Sequence, residues 1–462
     1  MSLLTPRLAP ALVALLLSAC VASRADLFRP VDREVDRRLG LDVTWRDATR
    51  NGPLSASMAH LLTRPLSLDT AVRLALARNR GLQADFESLG IAGAALADAT
   101  VLPPTEVDFD YKLGLSGEGG EVELTVVQDV LALIQLGQRR GSASADLAAA
   151  RARAVAATLA LAADTTRAWD ELVAAQQLAD LEDDARQATA ALAELGQRMW
   201  AAGNLSALDL NRLQSQAESV ALSAARAATD AQVAKAALGA LLALPPEQTW
   251  SAARQLPDPP AEPPDLTTLA HDAHTRSLEL VALDAEAEAA ADRLGYAEVR
   301  AWLPELGLGA AFSRRDGEGW EAGPAVRLGL PIFDQQQGPR ARAAAEVRRA
   351  RSRAAATASA IDAAVDALRA RATAAWAEAR RYRDVVLPLQ HDIVDGLVRH
   401  YNAMDASTVE LVQGRRDLVD AGRQAVQATR RYWTTMAEVD ALARGVLPDQ
   451  ARHPREMMME SP

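Results

Sequence analysis

Two histidines, His271 and His274, stand three residues apart and would share one face of a helix, a spacing able to hold a metal ion. Without Asp, Glu or Cys partners arranged around them, a solvated helix surface is the simpler reading. His453 and the soft ligands Met457, Met458 and Met459 sit in a C-terminal tail whose composition favours flexibility over a site. Four acids, Asp108, Asp110, Glu121 and Glu123, alternate with apolar residues in two short segments. Their chemistry would be electrostatic: a cation-favouring rim if that face lines a pore, or plain solvation of a polar surface. Arg314, Arg315 and Arg327 lie nearby in sequence and would partly cancel such a field. Catalysis finds little support. The chain has no Gly-x-Ser-x-Gly elbow, no phosphate-cradling glycine loop and no His-Glu-x-x-His, and its carboxylates are spread along helix surfaces. A non-enzyme without a cofactor is the expectation.

The elements that hold these residues follow from composition. The 462 residues would fill two or three ordinary domains, but aromatics are only 4% and charged residues 24%, interspersed through abundant alanine. That mixture favours long helices packed through small side chains. A net charge of −11 with no basic face argues against a nucleic-acid partner. The start, MSLLTPRLAPALVALLLSAC, carries Arg7 and an apolar run, Leu8–Leu17, too short to span a bilayer, so residues 1–19 read as a signal peptide. Leu17-Ser18-Ala19-Cys20 resembles a bacterial lipobox, in which Cys20 is lipidated and becomes the first residue of the mature chain. Val21, where Asp would imply inner-membrane retention, resembles an outer-membrane address. With Cys20 modified, no thiol remains for a disulfide or a thiolate metal site.

Residues 20–65 are polar, contain Pro30, Gly52, Pro53 and Pro65, and read as a tether along the protein surface. Two repeats follow, 66–250 and 265–445, joined by a Pro-rich linker at 251–264 and trailed by a flexible tail at 446–462. LSLDTAVRLALARNRGL (66–82) is echoed by DLTTLAHDAHTRSLEL (265–280), matching Leu68 to Leu266, Ala75 to Ala273 and Arg78 to Arg276. Farther along, Gly137/Gly338, Arg139/Arg340 and Arg198/Arg399 hold a constant offset of 201, the signature of an internal duplication. Each repeat contains one region of period two. Strands are expected at about 105–115 and 121–130, with a turn at 116–120, and again at about 305–313 and 320–330. Val107, Phe109, Tyr111, Leu113 and Leu115 share one face, and Trp320, Ala322, Val326, Leu328 and Leu330 share another. Strands of this length cross a membrane when tilted. Four strands cannot close a barrel and lipid forbids an open edge, so three chains would pool twelve. After each hairpin a helix of some sixty residues, about 139–200 and 340–401, would reach on the order of 90 Å. Returning helices are expected at about 206–243 and 407–445.

The duplicated order of helix, β-hairpin, long helix, turn and helix resembles the outer-membrane efflux protein (TolC-like) family. The likeness covers residues 66 to 445. It implies a mostly α-helical chain that adds four strands to a twelve-stranded trimeric barrel standing on a helical periplasmic tunnel. It further implies a homotrimer in outer-membrane lipid, working with a periplasmic adaptor (membrane fusion) protein and an inner-membrane pump. LIQLGQRRGSASADLA (133–148), LPIFDQQQGPRARAAAEV (330–347) and VDREVDRRLGLDVTW (31–45) are similar to the heavy-metal, CzcC-like branch, whose cargo is divalent cations. The run Gln335-Gln336-Gln337 departs from that branch. Drug-efflux or type I protein-secretion channels are the alternatives. A non-conducting periplasmic lipoprotein scaffold is the alternative of another class.

Two breaks remain. WAAGNLSALDL (200–210) and YNAMDASTVEL (401–411) interrupt helices in the same style. Ser206…Asp209 and Ser407…Glu410 place a hydroxyl three residues before a carboxylate, a capping pattern that starts the returning helices. Gly203, Asn204, Ser206, Asp209, Asp405, Ser407 and Glu410 would thus form hairpin tips. The family resemblance makes such tips the adaptor-docking and gating end.

Overall fold

The computed structural model describes residues 22–46, 60–112, 120–245 and 247–448. Cys20, residues 113–119, His453 and Met457–Met459 lie outside them. The first repeat comprises α2 (Leu68–Arg78), α3 (Arg80–Thr100), β1 (Glu106–Lys112), β2 (Glu121–Asp129), α4 (Val130–Ile134), α5 (Leu136–Ala201) and α6 (Ala207–Leu241). The second comprises α7 (Leu269–Thr275), α8 (Leu278–Trp302), β3 (Leu306–Arg315), β4 (Glu321–Leu328), α9 (Gln337–Arg381), a π turn (Tyr382–Val386), α10 (Leu387–Asn402) and α11 (Thr408–Ala443). Strands and helices start and end within a few residues of the positions expected. The long helices begin earlier than expected, at Leu136 and Gln337.

The segment before the first repeat departs from the expected surface tether. Arg24–Leu39 forms a helix, α1, whose Leu27, Phe28, Val31 and Val35 are buried. These four fall on one helical face, which is what packs it. At the other end, Val446 and Leu447 are buried, so the expected flexible tail starts with packed residues.

The chain divides into two compact units. The first takes in residues 22–34, 85–155 and 278–357. Its sheet is antiparallel in the order β1-β2-β3-β4. The helices that feed and leave those strands neighbour one another in the same order. Arg139 of α5 donates to the Asp98 carbonyl of α3. Arg153 and Arg293 link α5 with α8 through Glu286 and Asp146. Arg293 also meets Glu346 of α9 at 3.6 Å. Ala149, Ala152 and Ala282 make a buried contact between α5 and α8, the close approach that alanine permits. On the α3 side, Phe28 of α1 meets Phe86 edge-on at 4.9 Å.

The second unit takes in residues 35–84, 156–277 and 358–448 and contains both helical hairpins. Indole N–H groups tie down its irregular chain. Trp169 donates to the Leu66 carbonyl, while Trp376 and Trp433 donate to the carbonyls of Pro260 and Pro257 in the linker. The proline-rich linker forms no ladder, so its carbonyls are free to accept, and buried or half-buried indoles need an acceptor. The linker between the repeats is thus fastened to helix surfaces. The second long helix is interrupted where the first is not. The Leu387 N–H reaches back to the Tyr382 carbonyl, and Pro388 follows with no N–H to donate. A proline inside a helix removes a bond and crowds the preceding turn, and the π turn absorbs the misfit. The first repeat has Gln187 at this position and stays α-helical.

Candidate functional site

Two places concentrate the features expected to carry function: the sheet in the first unit and the hairpin tips in the second.

The strand register sorts the sheet into two chemical faces. Pairing of Asp108 with Thr125, Asp110 with Glu123 and Lys112 with Glu121 puts these side chains on one side of the sheet. The rows continue through Ala311, Ser313 and Arg315 on β3 and through Glu321, Gly323, Ala325 and Arg327 on β4. Val107, Phe109, Tyr111, Val122, Leu124, Val126, Leu308, Phe312, Val326 and Leu328 occupy the other side. Arg314 falls on this apolar side, opposite Val122, so it is not part of the acidic face as first expected.

The cations on the polar face are engaged. Lys112 pairs with Glu123 at 3.2 Å and Arg315 with Glu121 at 3.4 Å. Arg327 pairs with Glu106, with Asp108 at 2.9 Å and with Glu305 at 3.7 Å. Asp110 has no ion pair among the described residues. The Arg327 link joins β4 to β1 across three inter-strand spacings, about 14 Å on a flat sheet. Curling toward the polar face shortens that span, and Gly307, Gly309, Ala311, Gly323 and Ala325 leave the path clear. The link therefore marks the polar face as the concave one.

The convex face is apolar and exposed, and exposed aromatic residues flank the strands at both ends. Tyr111 and Trp320 are 57% and 59% exposed at the hairpin end. Trp302 and Phe333 are 85% and 91% exposed where the helices begin. Among the described residues, both β1 and β4 have one edge without a partner strand. No described helix is long and apolar enough to cross a membrane.

At the first tip, α5 ends in a turn where Gly203 adopts φ 77°. The Asn204 N–H donates to the Met199 carbonyl at 2.8 Å, closing the six-residue loop of a Schellman motif. Ser206 then accepts from the Asp209 N–H at 3.1 Å and starts α6. At the second tip Met404 takes the left-handed position with φ 62°, and the Asp405 N–H donates to the His400 carbonyl at 2.8 Å. Ser407 and Glu410 form the full capping box. The Glu410 N–H donates to Ser407 Oγ at 3.2 Å, and the Ser407 N–H donates to the Glu410 carboxylate at 2.7 Å. The Ser407 N–H and hydroxyl hold the Glu410 carboxyl below its ordinary range. Asp405 also meets His400 Nδ1 at 2.8 Å, a contact not foreseen in the sequence.

The histidine pair gathers no third ligand among the described residues. His274 Nε2 meets Asp362 at 2.7 Å, and no group of three His, Cys, Asp or Glu residues gathers among the described residues. Sequence reasoning passed over Asp170 as one more acid on a helix. It is only 3% exposed, and burial, with Glu171 beside it, pushes its carboxyl up to about 7. No local pattern could have flagged it, because its burial is tertiary.

No family model and no curated protein match the chain. Solved structures do. The outer membrane protein VceC from Vibrio cholerae aligns with a TM-score of 0.68 at 18% identity, over 82% of this chain and 97% of that one. The CmeC outer membrane channel of Campylobacter jejuni gives 0.67 at 16% identity, over 84% and 88%. The open state of the Neisseria gonorrhoeae MtrE outer membrane channel gives 0.61 at 17% identity, over 82% and 89%. The chain has the fold of these outer-membrane channels, the TolC-like fold that its sequence resembles.

Proposed function

We propose that this chain is the protomer of a lipid-anchored, trimeric outer-membrane channel. It would serve as the passive exit duct of a tripartite export system, coupled to a periplasmic adaptor and an inner-membrane pump. The observation that carries the reading is the sheet: a convex apolar face, a concave charged face and two unpaired edges. Lipid tolerates no open edge, so membrane insertion requires other copies to complete the barrel. Three copies of four strands would make twelve. Cys20 would hold the mature chain to the membrane, and the two tips of each protomer would meet the adaptor at the periplasmic mouth.

The concave face carries Glu106, Asp108, Asp110, Glu121, Glu123 and Glu321 against Lys112, Arg315 and Arg327. This acidic excess favours cations in a narrow, weakly screened lumen. Divalent heavy-metal cations are accordingly the first cargo to test, ahead of drugs or secreted protein. A deletion strain should be hypersensitive to zinc, cobalt, nickel or copper. Hypersensitivity to a drug panel alone would remove the metal assignment. Replacing Gly203 and Asn204 with alanine should impair export while leaving trimers intact; unchanged export would reduce the tips to helix caps.

A further inference from the structure

Within the strand-bearing unit a cavity of about 300 Å³ opens between α3, α5 and α8. It is lined from these helices alone, apart from the polar face of the sheet and from the hairpin tips. Gln135, Gln138 and Ser142 stand on one face of α5, at i, i+3 and i+7. Ser142 lines the cavity, is 9% exposed and makes no hydrogen bond among the described residues. Gln138 lines it too, and its Oε1 is buried with no donor among the described residues. Gln135 donates from Nε2 to the Tyr296 carbonyl at 3.2 Å and leaves its own Oε1 in the same condition. Buried polar atoms nearly always have a partner, so these oxygens point to a group that donates.

The crossing of α5 and α8 is shaped to hold polar side chains. A Cβ at Gly141 would collide with Asp292 Oδ2, and one at Gly295 would lie 3.2 Å from Gln138 Nε2. Each helix thus omits a side chain where the other places a polar one. The second repeat does without this arrangement. At the offset of 201 it has Pro339, Arg342 and Ala343 in place of Gln138, Gly141 and Ser142. Ala343 is buried, as Ser142 is. The helix therefore packs at this position without a hydroxyl, and the polar set of the first repeat answers to something other than packing.

Charge narrows what that is. Asp98 and Asp292 line the cavity and have no ion-pair partner among the described residues. Of the two arginines beside them, Arg293 is held by Asp146 and Glu346, and Arg139 donates to the Asp98 carbonyl at 3.3 Å. Two uncommitted carboxylates against one guanidinium leave the cavity acidic. Three anionic ligands that could cage a metal ion are lacking among the described residues. Ala99 and Tyr296 complete the wall, with the Tyr296 hydroxyl accepting from Arg300 at 2.9 Å. An ammonium group supplies three N–H donors, a positive charge and no acceptor. An aliphatic stem on it suits the alanine and tyrosine wall.

We propose that this cavity binds a primary alkylammonium compound, its ammonium group donating to Asp292, Ser142 and Gln138 Oε1 and its stem lying against Ala99 and Tyr296. Asp98, which is exposed, adds negative charge beside it. The inference is independent of the channel reading.

The test is calorimetric titration of the full chain in detergent at pH 7 with n-butylamine. 1-Butanol, tetramethylammonium, β-alanine and calcium chloride serve as comparison probes. Butylamine should bind saturably and raise the melting midpoint as its concentration rises. Butanol lacks the charge and tetramethylammonium lacks the N–H donors, so both should bind at least about tenfold more weakly. Asp292→Asn should weaken butylamine about tenfold or more, and Ser142→Ala by about threefold or more. The alanine at position 343 of the second repeat makes Ser142→Ala a variant that should keep the fold. Asp110→Asn, on the sheet, should leave binding unchanged. Absence of saturable binding would overturn the proposal and leave water as the partner of these oxygens. Equal affinity in Asp292→Asn, or an equal loss in Asp110→Asn, would overturn it by reducing binding to general surface charge. Tighter binding of calcium or of β-alanine than of butylamine would also overturn it.

Discussion

Gly203 and Met404 occupy the same left-handed corner of two hairpins built on one repeated plan, yet the two hairpins reach it by different means. The first uses glycine, for which the corner is free of strain; the second places a side chain there at a cost of about 1 kcal/mol. Just above each corner, the paired helices cross over a glycine. In the first hairpin it is Gly196 on the incoming helix, facing Leu213. In the second it is Gly414 on the returning helix, facing Leu397. These are equivalent positions with the residues exchanged, so what the two repeats keep is the summed volume at the crossing, not the residue at either place. The approach helices differ as well. That of the first repeat is continuous, and that of the second contains the π turn before Pro388. The second repeat thus departs from the first both at the corner and at the π turn.

The largest effect expected from breaking this comparison lies at Asp170, whose counterpart is Arg371. Arg371 has Glu438 at 3.2 Å, whereas Asp170 is buried with no cation paired to it among the described residues. Its folded-state value of about 7 lies above the unfolded 3.8. The stability it contributes is therefore present at low pH and lost as pH rises through about 7. Asp170→Asn removes that penalty and should stabilise the chain by about 3 kcal/mol at pH 8, and much less at pH 4, as read from denaturant midpoints. Next comes the crossing. Gly414→Leu alone sets two leucines against each other and should cost about 2 kcal/mol. Adding Leu397→Gly rebuilds the first hairpin's arrangement and should restore most of it. At the corner, Met404→Gly should stabilise by about 1 kcal/mol and Gly203→Met destabilise by a similar amount, which thermal melting can resolve. The smallest effect belongs to the second cap. Glu410 has a depressed folded-state value, so its contribution is present above the ordinary 4.5 and lost as pH falls through the folded value. Ser407→Ala should flatten that acid limb in a pH titration of stability.

The hairpin caps were legible in the sequence because they are local: Ser206, Asp209, Ser407 and Glu410 make their bonds within one turn of helix. The strands were legible for the same reason, since alternation needs no knowledge of partners. The glycine–leucine exchange was not, because it has meaning only once two helices are known to cross there. Asp170 was invisible because its neighbours come from distant parts of the chain. The π turn had a visible signal in Pro388. The packed face of α1 had one in Leu27, Phe28, Val31 and Val35, hidden by the polar residues between them. Arg327 was expected to weaken an acidic field, but its reach to Glu106 and Asp108 needed the sheet order to be seen.

The central claim is that several copies pool their strands into a membrane pore. Purified full-length chain added to a planar lipid bilayer tests it most directly. The account predicts stable, stepwise single-channel conductance from material that runs as a trimer in detergent. A water-soluble monomer that never inserts and never conducts would contradict it.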